Sequence, residues 1–166
     1  MSTTDQLLLD LGQSAGLAQP LRFDEHGCAR LLVDGHLAID FERDDDAGLL
    51  QVYSVLGPLP AQGREALLMQ LLQANLFGAD TGGAALAVDG DTDEVVLCRG
   101  VAAEDLAAPA FVQWIERLVA VAEHWKDRLA AWRPDADAAA GPNGGTAAAA
   151  AAPAPQAAPL GAFLRA

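Results

Sequence analysis

The chain has 166 residues, and its 23 acidic and 10 basic side chains give a formal net charge of −13. A chain of this size can bury a hydrophobic core without disulfides or metal ions. The shortage of Lys and Arg argues against binding to nucleic acids or anionic membranes, because both depend on basic residues that neutralise phosphates. The partners of such an acidic chain should be basic or apolar.

The composition changes sharply after Trp132. Residues 133–166 contain 15 Ala, 5 Pro and 4 Gly among 34 residues and are electrically neutral, so residues 1–132 carry the whole charge of −13. We therefore predict a folded domain over 1–132 and a disordered Ala/Pro/Gly-rich tail over 133–166. The apolar end of the tail, Leu160 to Leu164, is either a short docking motif or a frayed terminus, and the terminus is the simpler interpretation.

The sequence also indicates where the protein resides. The first 15 residues lack the positive segment of a signal peptide, and no run approaches the roughly 20 apolar residues that span a bilayer. Cys28 and Cys98 lack CxxC spacing, which favours a reduced pair of thiols in the cytosol. We expect a cytoplasmic protein with no membrane insertion.

The amino-terminal region predicts a helix. Thr3 or Thr4 caps its start, and Gly16 ends it. Its apolar face consists of Leu7, Leu8, Leu11 and Ala15.

A period of two then predicts strands over 29–33, 37–42 and 49–56. Asp34-Gly35 is typical of a two-residue turn between the first two strands, and a charged turn joins the second to the third. Three strands linked in this way form an antiparallel meander. The residues that alternate along the first two strands include Leu31, Val33, Leu37, Ile39 and Phe41.

From Gly63 the helical period returns, with more apolar residues than one packing face requires. They are Leu67, Leu68, Leu71, Leu72, Ala74 and Leu76. A second hairpin over 84–88 and 94–99 turns at Asp89-Gly90, and a last helix runs from near Pro109 to Trp132. The predicted order is α-β-β-β-α-β-β-α, an α+β fold with a twisted antiparallel sheet flanked by three helices.

No pattern in the chain predicts catalysis, a metal site or a cofactor. Asp89, Asp91 and Asp93 have calcium-loop spacing, but Glu94 and Gly100 stand where that loop needs a glycine and a bidentate acid. The three histidines lack metal-ligand spacing, and the glycines near 78–83 lack the Lys-Ser/Thr ending of a P-loop. Unused apolar surface on the first helix, the leucine-rich helix or the open sheet face predicts a protein interface instead.

One segment resembles a known family. In Leu71 to Val101, the run Ala74-Asn75-Leu76-Phe77 is followed by the turn Thr81-Gly82-Gly83 and a strand pair. This segment resembles the central signature of the Tir chaperone (CesT) family, the class I chaperones of bacterial type III secretion. The likeness extends more weakly from Leu7 to Trp132, whereas the Ala/Pro tail departs from the family.

The resemblance implies a cytoplasmic bacterial homodimer, connected with virulence, that binds the N-terminal region of a secreted effector in extended form without a cofactor. It leaves open a transient contact with the secretion apparatus. The implied effector-binding residues are Leu7, Leu8, Leu11, Leu31, Val33, Leu37, Ile39 and Phe41. The implied dimer-interface residues are Leu68, Leu72, Leu76, Leu86 and Val88.

Two other hypotheses remain open at this point. The same fold could serve as a regulatory adaptor that binds a folded cytosolic partner through a globular surface. A hydrolase that uses Asp and His residues is the third hypothesis, and it requires a side chain whose replacement abolishes turnover without unfolding the protein.

Overall fold

A computed structural model of the protein describes residues 3–102 and 107–134. The predicted tail, apart from Arg133 and Pro134, therefore lies outside the described residues. In chain order the elements are α1 (Thr3–Ser14), β1 (Cys28–Val33), β2 (Leu37–Asp44), β3 (Leu49–Pro58), α2 (Arg64–Asn75), a 3₁₀ turn (Leu76–Gly78), β4 (Ala85–Asp89), β5 (Glu94–Ala102) and α3 (Ala108–Ala130). The predicted order of elements and the α+β class are confirmed.

The five strands form one antiparallel sheet in the order β1-β2-β3-β5-β4. The meander β1-β2-β3 makes one half, and the β4-β5 hairpin joins it through β5. The chain reaches this second half by way of α2. The strand order makes β1 and β4 the two edges of the sheet. These two edges have different surroundings.

The turn between β1 and β2 is longer than the sequence predicts. Asp34 and Gly35 have positive φ angles of 48° and 73°, as the Asp-Gly signal requires. However, Val33 pairs with Leu37, and the N–H of His36 donates to the carbonyl of Val33 at 3.1 Å. The loop therefore has three residues, because the pairing register and not the dipeptide alone sets its length.

The core lies between α1, α3 and one face of the sheet. Alternate residues of the inner strands point into it, and Phe41 on β2 stacks against Phe111 on α3 with ring centroids 6.4 Å apart. Two tryptophans also bind loops: the indole N–H of Trp125 on α3 donates to the Asp80 carbonyl at 3.0 Å, and that of Trp132, two residues beyond the helix, donates to the Gln62 carbonyl at 3.3 Å. The last helix and the residues that follow it thus fix both ends of the segment that contains α2.

The opposite face of the meander carries an ion pair. Arg30 on β1 and Asp40 on β2 are directly paired and form an ion pair of 2.6 Å, and Tyr53 follows on β3 beside Asp40. The side-chain hydrogen bond to Asp40 raises the pKa of Arg30 above its ordinary value. The exposed apolar side chains of Leu32 and Val55 lie on the same face, so its polar character is confined to the surroundings of the ion pair.

Candidate functional site

An apolar groove of about 280 Å³ lies between α1, β1 and α3. We call it the β1 groove. Ser14, Ala15 and Glu116 form part of its rim. Its apolar lining comes from three separate elements and consists of Leu11, Leu31, Val33, Val112, Ile115 and Val119.

The edge of the sheet beside this groove is partly open. At the start of β1, the Asp24 N–H donates to the Cys28 carbonyl at 2.8 Å, and the Cys28 N–H donates to the Asp24 carboxylate at 2.9 Å. Both backbone groups of Cys28 therefore point away from β2. Because residues two apart in a strand have the same orientation, the N–H and C=O groups of Arg30 and Leu32 also point outward. Within the described residues, β1 has β2 as its one strand neighbour.

The hydrogen bonds of Asp24 also affect its ionisation. Backbone N–H donation from Cys28 and then from His26 lowers the pKa of the Asp24 carboxyl below its ordinary value of 3.8. The charged carboxylate thus closes the amino-terminal end of the β1 edge, while the stretch at Arg30 and Leu32 is left for another strand.

The eight residues that the sequence assigns to effector binding occupy two layers. Leu11, Leu31 and Val33 line the β1 groove. The other five are buried in the core. Leu7 and Leu8 lie on the inner face of α1, and the remaining three lie on the inner strand β2: Leu37, Ile39 and Phe41. A direct contact between these five and a ligand stays a prediction.

The three apolar groove residues on α3, Val112, Ile115 and Val119, were not predicted as binding residues from the sequence. Val112 and Val119 lie seven positions apart, beside the main apolar stripe of the helix. Ile115 stands between them at helical spacing, so the three form a second line of apolar residues. That line was the available signal, but the dominant stripe that includes Trp114 and Trp125 concealed it.

A second apolar surface lies on α2 and the turn that follows it. We call it the α2 patch, and it consists of Leu68, Met69, Leu72, Leu76 and Phe77. Leu72 is 66% exposed and Phe77 is 97% exposed, whereas Leu67, Leu71 and Ala74 on the same helix are buried. The apolar arc of α2 is thus wider than its contact with the rest of the chain, as the sequence predicts.

Phe77 also has an unusual backbone. Its φ of 56° is left-handed, a conformation that costs a residue with a side chain about 1 to 2 kcal/mol. This backbone conformation places the aromatic ring of Phe77 outside the core. An exposed ring in a strained backbone is typical of a surface that another molecule covers.

The predicted dimer-interface residues divide between two environments. Leu68, Leu72 and Leu76 belong to the α2 patch. Leu86 is buried in the single chain and Val88 is half-buried, while Ala85, Ala87 and Asp89 are the exposed residues of β4. Strand alternation was correctly identified, but the sequence does not show which of its two faces turns outward. A role of any of these residues in a dimer stays a prediction.

The edge strand β4 is capped at one residue by a side chain. The amide of Asn75 donates to the Leu86 carbonyl at 2.9 Å, and its oxygen accepts the Leu86 N–H at 2.8 Å. At Leu86, Asn75 therefore makes both hydrogen bonds that a neighbouring strand would make. The turn packs tightly here, since a Cβ on Gly78 would lie 3.2 Å from the backbone of Gly83.

The two cysteines of the described residues are not activated. Burial, followed by the nearby charge of Asp24, raises the pKa of the Cys28 thiol, and burial raises that of Cys98. Both thiols are therefore protonated at neutral pH and are weak nucleophiles. Across residues 3–102 and 107–134, no three His, Cys, Asp or Glu side chains are grouped to hold a metal ion.

None of the described helices is both long and apolar enough to cross a bilayer.

Known proteins resemble this chain in both sequence and structure. A Chlamydia pneumoniae protein is 27% identical over 126 residues, which are 75% of this chain and 95% of that protein. A chain of the HopA1–SchA chaperone–effector complex is 25% identical, with a TM-score of 0.59, and the match covers 75% of this chain and 91% of that one. A chain in the structure of the Yersinia pestis type III secretion chaperone SycH with a fragment of YscM2 is 22% identical, with a TM-score of 0.58, covering 72% of this chain and 97% of that one.

The family model described as the Tir chaperone protein (CesT) family matches residues 6–126. That range contains most of α1, the whole sheet, α2 and most of α3. It therefore includes both the β1 groove and the α2 patch. By this match the chain belongs to the Tir chaperone (CesT) family.

Proposed function

We propose that this protein is a cytosolic type III secretion chaperone that binds the N-terminal chaperone-binding region of a cognate effector in extended form and keeps it competent for secretion. The observation that carries the proposal is the open edge of β1 beside the β1 groove. An extended segment can add to that edge through its backbone while its side chains enter the groove.

The geometry suits an extended ligand better than a compact one. The outward N–H and C=O groups at Arg30 and Leu32 repeat at the spacing of a strand, about 6.6 to 6.8 Å for every second residue. Leu31 and Val33 lie on the groove side of the same strand. Alternate side chains of an added strand would therefore face the apolar lining, and the residues between them would face solvent.

Magnitudes indicate that the groove alone cannot hold a disordered client firmly. Ordering five residues costs about 5 to 10 kcal/mol in backbone entropy. Two or three apolar anchors contribute about 3 to 9 kcal/mol, and four backbone hydrogen bonds about 4 kcal/mol net. The net gain is only a few kcal/mol, which is less than the roughly 4 to 15 kcal/mol that association itself costs. A stable complex therefore requires a longer contact path than one groove provides.

A homodimer would supply that longer path, and we propose that the α2 patch forms its interface. In a two-fold dimer each apolar residue of the patch is buried twice, once in each subunit. Coverage of Leu72 and Phe77 would also remove the solvent exposure of the two most exposed apolar side chains described. The two β1 grooves would remain free, because they lie on the opposite edge of the sheet from α2 and β4.

The charge of −13 is consistent with this role. It keeps a molecule with two apolar surfaces soluble, and it steers a basic client toward the folded domain. The affinity itself would come from the groove and the strand edge.

Charge substitution in the groove tests the proposal. Val119→Asp places a carboxylate on the apolar wall, so we expect the affinity for an effector's N-terminal region to fall at least about ten-fold, equivalent to about 1.4 kcal/mol. Ala120→Asp, which adds the same charge at an exposed position of α3, should leave affinity within two-fold. Isothermal titration calorimetry with the purified effector region measures both variants.

The outcome also separates the two binding hypotheses. Equal affinity of the Val119→Asp and Ala120→Asp proteins would refute binding in the β1 groove. If an effector without its N-terminal region binds as well as the complete one, the protein acts instead as an adaptor for a folded partner.

A further inference from the structure

The chain itself contains a segment that could occupy the β1 groove. The end of the tail, Leu160-Gly161-Ala162-Phe163-Leu164, is its one cluster of large apolar residues, since the remainder of 135–166 consists almost entirely of Ala, Pro, Gly and polar residues. We propose that this segment docks in the β1 groove of its own chain and occupies it until a client displaces it.

The length of the tail matches the distance to be spanned. The described chain ends at Pro134, beside Gly63 and just beyond α3. With a rise of about 1.5 Å per residue, Val119 and Val112 lie about 17 and 27 Å back along α3 from Ala130. The 25 residues between Pro134 and Leu160 have an expected r.m.s. span of roughly 25 to 30 Å.

The spacing within the segment matches the groove as well. In an extended segment Leu160 and Leu164 point to the same side and lie about 13 Å apart. On α3, Val112 and Val119 lie about 10.5 Å apart along the helix axis. The two leucines can therefore enter opposite ends of the groove while the backbone between them follows the free edge of β1.

Charge also favours this site over the other large apolar cavity. Arg165 directly follows Leu164 and is the last basic residue of the chain, and Glu116 stands at the rim of the β1 groove. The second cavity, at the end of α3, is lined by Leu56, Leu129 and Trp132 together with a basic residue, Lys126. A segment that ends in Arg165 is repelled by a lysine and attracted by a glutamate.

The docked segment would act as a weak internal competitor. A tether of this length gives an effective concentration in the millimolar range. A motif with a dissociation constant of about 0.1 to 1 mM would then lower the apparent affinity for a client about two- to ten-fold. The occupant would protect the apolar groove from non-specific contacts without blocking a longer, more tightly bound client.

A nitroxide label at the end of the full chain tests the docking without any client. Cys28→Ser and Cys98→Ser remove the native thiols, and Ala166→Cys carries the label. The protein, with isotope-labelled methyl groups, is diluted into a tenfold excess of chain with neither label, so that relaxation reports contacts within one chain. We expect the methyl signals of Leu11, Val33 and Val119 to lose more than half of their intensity, and those of Leu56 and Leu129 to keep theirs.

A matched pair of tail variants controls the experiment. Leu160→Asp with Leu164→Asp should restore the groove signals, whereas Ala154→Asp with Ala158→Asp adds the same charges at the same spacing and should not. The proposal is overturned if the groove signals are unaffected, if the whole surface or the second cavity is affected instead, or if dilution removes the effect.

The consequence for clients rests on the proposed function and is measured separately. The Leu160→Asp/Leu164→Asp protein should bind an effector's N-terminal region about two- to ten-fold more tightly than the Ala154→Asp/Ala158→Asp protein, and equal affinity would refute the competition. If neither protein binds an effector, the proposed function fails, while the relaxation result still decides whether the tail docks.

Discussion

The two edges of the sheet differ in how their outward backbone N–H and C=O groups are hydrogen-bonded. At β4, the side chain of Asn75 makes both backbone hydrogen bonds with Leu86 that a further strand would make. At β1, Asp24 satisfies Cys28, and the outward groups of Arg30 and Leu32 continue past it beside the β1 groove. Each edge is thus capped at one residue, but the outward stretch of β1 is longer and lies beside an apolar groove, so β1 is the edge better suited to accept a strand.

The apolar surfaces next to these edges differ in the same sense. The β1 groove is concave and its apolar lining is buried or half-buried, so it can take individual side chains from an extended segment. The α2 patch presents the exposed side chains of a helix and turn next to the β4 edge, which suits a second preformed surface. In the proposed function, the backbone groups of the neighbouring strand edge, and not apolar area alone, would distinguish the client surface from the subunit surface.

The largest effect is expected at the α2 patch. Leu72→Asp introduces two charges into a two-fold interface and removes two buried leucines, which together should cost the dimer at least about 3 to 6 kcal/mol. We expect a monomer, or an aggregate if the patch finds other partners, by light scattering. Gln73→Asp, at an exposed position of the same helix, should keep the dimer. An unchanged dimer mass for Leu72→Asp would remove the α2 patch as the interface.

An intermediate effect is expected at the β4 edge. Asn75→Ala removes both hydrogen bonds with Leu86 and leaves these backbone groups without partners, which should cost about 1 to 3 kcal/mol in the free energy of unfolding. Urea unfolding at one fixed protein concentration measures this cost, since association also stabilises a dimer. Gln73→Ala serves as the control on the same helix. Equal stability of both variants would mean that Asn75 does not cap the β4 edge energetically.

The smallest effect is expected at the closed end of β1, where acid should loosen the Asp24 turn. Because the folded-state pKa of Asp24 is lowered, its contribution is present above the ordinary value of 3.8 and is lost as pH falls through the lowered pKa. An NMR titration of the Cys28 amide should therefore show a transition only below about pH 4. The transition should be absent in Asp24→Asn, and a wild-type midpoint above pH 4 would contradict the assignment.

Most of the fold could be predicted because its signals are local. The period of two in 37–42 and the helical period of α3 depend on neighbouring residues alone, and they gave the correct order of elements. The turn at Asp34-Gly35 was predicted one residue too short, because His36 enters the loop through the register of Val33 with Leu37.

The site was less predictable because it depends on what the fold leaves uncovered. Val112 and Val119 line the groove because Trp114 and Trp125 occupy the side of α3 that faces the core. Likewise, nothing local to β4 determines that Leu86 faces inward while Ala85 and Ala87 face outward. The role of Asn75 requires the distance between α2 and β4, which no sequence period encodes.

The most direct test of the central claim, that a client adds to the open edge of β1, is a single backbone change at Leu32. Its N–H points outward, so proline is tolerated there without loss of a bond to β2. Leu32→Pro removes the donor, and Leu32→Ala keeps it while removing the same exposed side chain. With both proteins folded by circular dichroism, we expect calorimetry to show about ten-fold weaker binding of the effector's N-terminal region to Leu32→Pro, and binding within two-fold of wild type for Leu32→Ala. Equal affinity of the two variants would contradict strand addition at β1.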